Sequence, residues 1–136
     1  MIIFACNKDK LQTKPSIKIK DVNATEIGQA GTLEITMEYS DKEGDLSEGQ
    51  LTYVRNRTNI KPIPNPLAND KADTVRYPMP KFSDRSRGEI QISIPYDFMT
   101  EDPNDNDTMF FRIAVQDRAG NVSDTIQTGT VIAREF

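Results

Sequence analysis

The chain of 136 residues carries 17 Lys and Arg against 21 Asp and Glu, a net charge of -4, with 36% hydrophobic and 28% charged residues. That length suits one domain that buries roughly two-thirds of its unfolded surface without disulfides or a structural metal, and the mild acidity gives no pull toward nucleic acid or anionic lipid. With no His, no Trp and a single Cys, it cannot build Ser-His-Asp or Cys-His catalysis, an internal disulfide or a Cys-x-x-Cys site, and it lacks zinc's commonest ligand.

Residues 1–14 (MIIFACNKDKLQTK) stand apart. A short apolar run ends at Ala5-Cys6 and a polar, Lys-rich stretch follows. The run is far shorter than the roughly 20 residues of a membrane span, and it has the character of the end of a secretory signal. This segment is predicted to be a signal remnant and tether, with residues 15–136 forming the folded domain.

From residue 15 onward the apolar residues recur with a period of two, the mark of half-buried strands. The predicted strands are Ser16–Val22, Thr32–Tyr39, Leu51–Arg55, Val75–Tyr77, Glu89–Ile94, Met109–Gln116 and Thr125–Ala133. The clearest is the second, where Leu33, Ile35, Met37 and Tyr39 alternate with Thr32, Glu34, Thr36 and Glu38. Turn signals at Gly28 and Gly31, Glu43-Gly44-Asp45, Gly88, Pro103-Asn104-Asp105 and Ala119-Gly120-Asn121 separate the runs. No window shows a capped 3.6-residue stripe. About seven strands in this length predict an all-β, immunoglobulin-like sandwich of two antiparallel sheets with Greek-key connections. The segment Thr58–Arg87 carries Pro62, Pro64, Pro66, Pro78 and Pro80. Proline removes ladder donors, so this part is expected to run as a long excursion along a sheet edge.

Several motifs bear on function. Ile3-Phe4-Ala5-Cys6 resembles the bacterial lipobox, with Cys6 as the lipidated residue, and Asn7-Lys8-Asp9-Lys10 resembles the charged tether of Bacteroidetes-type surface lipoproteins. The resemblance implies an acyl anchor in the cell envelope, with a flexible polar stretch holding the domain off the membrane. A buried or incidental Cys is the plainer alternative.

Tyr39-Ser40-Asp41-Lys42-Glu43-Gly44-Asp45-Leu46 resembles the "DxDGDL" loop of bacterial Ig-like and cadherin-like modules, with Glu43 where that family more often has Asp. Gln116-Asp117-Arg118-Ala119-Gly120-Asn121-Val122-Ser123 resembles the hairpin between their last two strands. In an Ig-like topology these two loops share one end of the sandwich. Asp41, Glu43, Asp45 and Asp117 then converge, and clustered carboxylates repel unless a cation such as Ca²⁺ neutralises them. Alternatively, Asp41 and Asp117 cap turns, with Lys42 or Arg118 balancing charge.

Asp102-Pro103-Asn104-Asp105-Asn106 matches a cadherin string, but it falls between the fifth and sixth predicted strands, at the opposite end, where turn chemistry explains it. Asp73-Thr74-Val75, Asp107-Thr108-Met109 and Asp124-Thr125-Ile126 resemble a Bacteroidetes O-glycosylation acceptor pattern, and equally a common strand entry. Tyr53, Arg55 and Tyr77, with Arg57 and Arg76 nearby, form either a binding surface or ordinary strand packing.

Three functions are compatible with these residues. The first is a non-catalytic envelope lipoprotein, anchored through Cys6, that binds or scaffolds an envelope protein or glycan. The second is a calcium-binding accessory or adhesion module of the same fold. The third, an enzyme working with carboxylates alone on a glycan, needs two carboxylates flanking a cleft.

Overall fold

The computed structural model describes residues 13–136; Cys6 and the tether up to residue 12 lie outside the described residues. Among the described residues nine strands run in the order β1 (Ser16–Val22), β2 (Glu26–Ile27), β3 (Thr32–Ser40), β4 (Gln50–Arg57), β5 (Ala72–Pro78), β6 (Arg87–Pro95), β7 (Asp107–Gln116), β8 (Ile126–Gln127) and β9 (Val131–Ala133). A single helical turn, α1 (Tyr96–Met99), sits between β6 and β7. The strands form two sheets: β1-β3-β6, and β2-β9-β7-β4-β5 with β8 also on β7. The fold is therefore the expected all-β, Ig-like sandwich.

The alternation read from the sequence is what closes it. On β3 the side chains of Leu33, Ile35 and Met37 are all 0% exposed, and they meet Leu51, Tyr53, Met109, Phe111 and Ile113 from the facing sheet. A one-residue slip would turn each of these to solvent, so burial itself fixes the register. β3 pairs along its whole length with β6 (Leu33↔Ile94, Ile35↔Ile92, Met37↔Ile90), and β4 does the same with β7 (Tyr53↔Ile113).

Two features differ from the periodicity. The predicted strand Thr125–Ala133 divides into β8 and β9, because between them the chain bonds to β7 through a side chain. Thr128 Oγ1 accepts the Phe111 N–H at 3.0 Å, just as Ser123 Oγ accepts that of Val115 at 2.9 Å. The extra strand β2 is two residues paired in parallel with β9 (Glu26↔Ile132), too short to leave a pattern.

The sandwich has two ends built from different loops. At one, β3 and β7 finish and β4 begins; loop 41–49, strap 79–86 and hairpin 117–121 meet there. At the other, β4 finishes and β7 begins; the proline-rich stretch 58–71, α1 and loop 100–106 meet there.

Candidate metal centre

The first end gathers an acidic triad. One carboxylate oxygen from each of Asp41, Asp45 and Asp117 lies within 4.8 Å of the other two. Asp41 is 1% exposed and Asp117 3%, while Asp45 is half-buried.

Local turns hold the three in place. Asp41 ends β3, and its carbonyl accepts the Gly44 N–H at 2.9 Å, closing a turn in which Gly44 has φ +69°. That left-handed conformation suits glycine. Asp41 Oδ2 accepts the Asp45 N–H at 3.1 Å. Asp117 ends β7 in a similar way: its carbonyl accepts the Gly120 N–H, and its carboxylate accepts the Asn121 backbone N–H at 2.8 Å and the Asn121 side-chain amide at 3.2 Å. The Arg118 N–H donates to the Asp45 carbonyl at 3.0 Å, joining the two loops.

Turn capping therefore uses only part of the triad's capacity. Asp41 Oδ1 and Asp45 Oδ1 are buried with no hydrogen-bond partner. Among the described residues no Lys or Arg pairs with any of the three acids. Arg118, one of the expected neutralisers, instead forks onto Asp84 at 2.9 and 3.2 Å, and Lys42 is exposed. The Asp41 carboxyl is pushed up to about 7, by burial first, then by the hydrogen bond that its protonated form makes to the Asp45 carboxyl, and then by the charges of Asp45 and Asp117. Three oxygens with no His or Cys among the donors make a hard, all-oxygen site of the kind that suits Ca²⁺ or Mg²⁺ rather than a softer transition metal.

Glu43 does not join this group. It is exposed on the outer side of the turn, where it accepts the Thr13 N–H at 2.6 Å and the Thr13 hydroxyl at 2.9 Å.

The expected binding surface is also redistributed. Tyr53 is 2% exposed and Arg55 5%, so neither lines a surface, whereas Tyr77 is 41% exposed. The reason is strand parity: Leu51, Tyr53 and Arg55 share the inner face of β4. Arg55 donates to the carbonyls of Phe98 and Asn69, both at 2.9 Å, and stacks over the Phe98 ring at 5.1 Å. Burial, then the nearby Arg57, lowers its basicity. Tyr53 packs edge-on against Phe98 and Phe111, and its hydroxyl meets that of Tyr77 at 3.3 Å. Burial pushes that hydroxyl's pKa up.

The second end holds a buried ion pair that the sequence did not advertise. Arg57 and Asp107 meet at 2.7 Å with side chains 3% and 0% exposed. Asp107 also accepts the N–H groups of Glu101 and Asp102 and the Asn59 amide. Asp102 Oδ1 accepts the Asn104 N–H at 2.9 Å, the turn chemistry expected of that string. Of the three acceptor-like threonines, Thr74 and Thr125 are exposed, and Thr108 is half-buried against Thr58.

Neither a protein-family model nor a curated protein sequence matches the chain. Among solved structures it is similar to AvmM, which catalyses macrocyclisation in alchivemycin A biosynthesis (8% identity, 90% of each chain covered, TM-score 0.46). It is also similar to a Niemann-Pick type C2 protein from the Japanese carpenter ant (10% identity, 90% of this chain and 96% of that one, TM-score 0.41). A third is AggA, the major subunit of aggregative adherence fimbriae type I from Escherichia coli (11% identity, 90% of this chain and 96% of that one, TM-score 0.32). At these identities the likeness is one of fold alone.

Proposed function

We propose that this is a non-catalytic, Ig-like binding or scaffolding module of the cell envelope, lipid-anchored through Cys6, with an envelope protein or glycan as its partner. The observation that carries the reading is how the buried charges are used. Arg55, Arg57, Asp102 and Asp107 all hold backbone or one another, which is the work of a scaffold. The triad is packed between loops as three carboxylates in one place, not as the two carboxylates across a cleft that glycoside hydrolysis needs. The first described residue, Thr13, is tied to Glu43, so the described domain begins at its acidic end.

Intact mass and membrane partitioning of the protein from its native cells test the anchor. A product beginning at Cys6 with an added acyl mass supports it. A soluble, unlipidated chain that still carries Met1 removes it.

A second reading, a calcium-binding accessory or adhesion module, is favoured by the unpartnered oxygens of Asp41 and Asp45. Extracellular modules bind calcium at about 10⁻⁴–10⁻³ M. A melting temperature that is the same in chelator and in millimolar calcium would end this reading.

A further inference from the structure

The two sheets are unequal in width, and one segment closes the difference. On the flank where β5 and β6 are the edge strands, the strap 79–86 crosses between them without forming a strand of its own. Beneath it lies a groove of about 540 Å³, lined by Leu51, Tyr77, Met79, Phe82, Ile90 and Ile92 among others. Met79 and Phe82 belong to the strap, so the strap is one wall of the groove. Phe82 leans on Tyr39 with ring centres 6.0 Å apart.

Among the described residues, every polar tie of this strap goes to the loops that carry the triad. The Met79 N–H donates to the Gly49 carbonyl at 2.8 Å, and the Glu48 N–H to the Pro80 carbonyl at 3.3 Å. The Phe82 N–H donates to Ser47 Oγ at 2.8 Å. Asp84 is gripped by Arg118, whose own backbone N–H holds Asp45. The Asp41 N–H donates to the Ser86 carbonyl at 2.8 Å, so the strap is held by the same residue whose Oδ1 is unpartnered. The strap also runs beside the turn itself, since a Cβ on Gly44 would be in ordinary van der Waals contact with the Arg85 backbone, at 3.4 Å.

We propose that a divalent cation of calcium's class, held by one carboxylate oxygen each of Asp41, Asp45 and Asp117, pins strap 79–86 and thereby sets the shape of the groove between β5 and β6. The proposal rests on the calcium reading above and adds what the ion governs. The three oxygens lie within 4.8 Å of one another, a spread that calcium spans at bond lengths of about 2.3–2.6 Å. Water supplies the rest of its six to eight ligands. With the ion in place, loop 41–49 and hairpin 117–121 are drawn together, and the strap keeps all its footings. Without it, like charges push the two loops apart, and the strap loosens with them. The coupling runs through named hydrogen bonds between adjacent segments, so the calcium response is local to this end.

Calorimetry and amide hydrogen exchange on the full chain test this, with 5 mM calcium, 5 mM magnesium or chelator. Calcium should give a binding heat. It should also slow exchange of the Glu48, Met79 and Phe82 amides roughly tenfold, the factor expected when the ion is at about ten times its dissociation constant. The Arg118→Ala variant keeps all three carboxylates but cuts the hairpin from the strap. It should bind calcium and show a markedly smaller gain in strap protection. Binding heat with unchanged exchange across 79–86 would overturn the strap proposal and leave the calcium site standing. So would an Arg118→Ala protein that keeps the whole gain. Absence of any heat, with no shift in melting temperature, would overturn both.

Discussion

Each end of the sandwich buries a carboxylate where water cannot reach it, yet the two are treated in opposite ways. Asp107 is 0% exposed and receives Arg57, the Asn59 amide and the N–H groups of Glu101 and Asp102. Asp41 is 1% exposed and receives one N–H on one oxygen, with two further acids nearby. Burying a charge is tolerable only when paired and hydrogen-bonded groups replace the lost hydration. Asp107 meets that condition by itself, although Arg57 Nη2 and Arg55 Nε at the same end are buried without a partner. The end with Asp41 needs something added, either a proton or a cation, and that separates an architectural cluster from a binding site.

The sharpest way to break the comparison is to remove the compensated charge. Asp107→Ala leaves Arg57 buried with no ionic partner, which typically costs about 3–5 kcal/mol; urea unfolding measures it. A loss below about 1 kcal/mol would mean that the carbonyls of Asp70 and Met99, which Arg57 already holds, satisfy it alone, and that Asp107 is not the counter-charge it resembles.

The uncompensated end should respond to pH with a definite sign. The Asp41 carboxyl is raised from 3.8 to about 7, so between those values the folded chain holds a proton that the unfolded chain has released. Stability without metal therefore falls as pH rises through that window, by about 2–4 kcal/mol if the shift is expressed in full. Thermal unfolding in chelator from pH 5 to pH 8 reads it, and calcium should restore the loss at pH 8. A flat profile would show that the three acids coexist ionised at little cost, and the contrast with Asp107 would collapse.

Neutralising the same residue gives a smaller effect of unusual sign. Asp41→Asn keeps an acceptor for the Asp45 N–H and removes the repulsion. In chelator at pH 8 it should stabilise the fold by about 1–2 kcal/mol, where most point changes destabilise. It should also erase the response to calcium. Destabilisation in chelator would assign Asp41 to turn capping alone.

How far the sequence foretold these two ends depends on the range of the interactions that build them. Strand parity is local, so Leu33, Ile35 and Met37 announce their own burial. The turns at Gly44 and Gly120 are equally local, and they carried Asp41, Asp45 and Asp117 to one end of the expected topology. Glu43 was misjudged because one residue's step around a tight turn reverses its direction, and composition does not record direction. Of the two readings of Tyr53 and Arg55, strand packing is the one the structure bears out, because the parity of Leu51 turns both inward. The Arg57–Asp107 pair joins residues fifty positions apart in chain number, and the strap's ties reach from 79–86 to 41–49 and 118. Such contacts exist only once the sheets have packed, so no window of sequence contains them.

A matched pair of substitutions sharpens the comparison with the smallest expected effect. Asp102 and Asp117 do the same local job: each carboxylate accepts a backbone N–H from a turn that follows it, from Asn104 at 2.9 Å and from Asn121 at 2.8 Å. Both are 3% exposed. Losing such a cap costs about 1 kcal/mol, and Asp102→Ala should cost that much with or without calcium. Asp117→Ala loses the same backbone cap and also the bond from the Asn121 side-chain amide, but it lifts a negative charge away from Asp41, so in chelator the terms offset and the net change should be close to zero. In calcium the same substitution removes a ligand, and its cost should reappear as the stabilisation that the ion no longer supplies. Urea midpoints for both variants in both media are enough to decide. If the two substitutions cost the same in chelator and in calcium, the ends differ in geometry but not in electrostatics, and the triad is a set of turn caps that happen to be close.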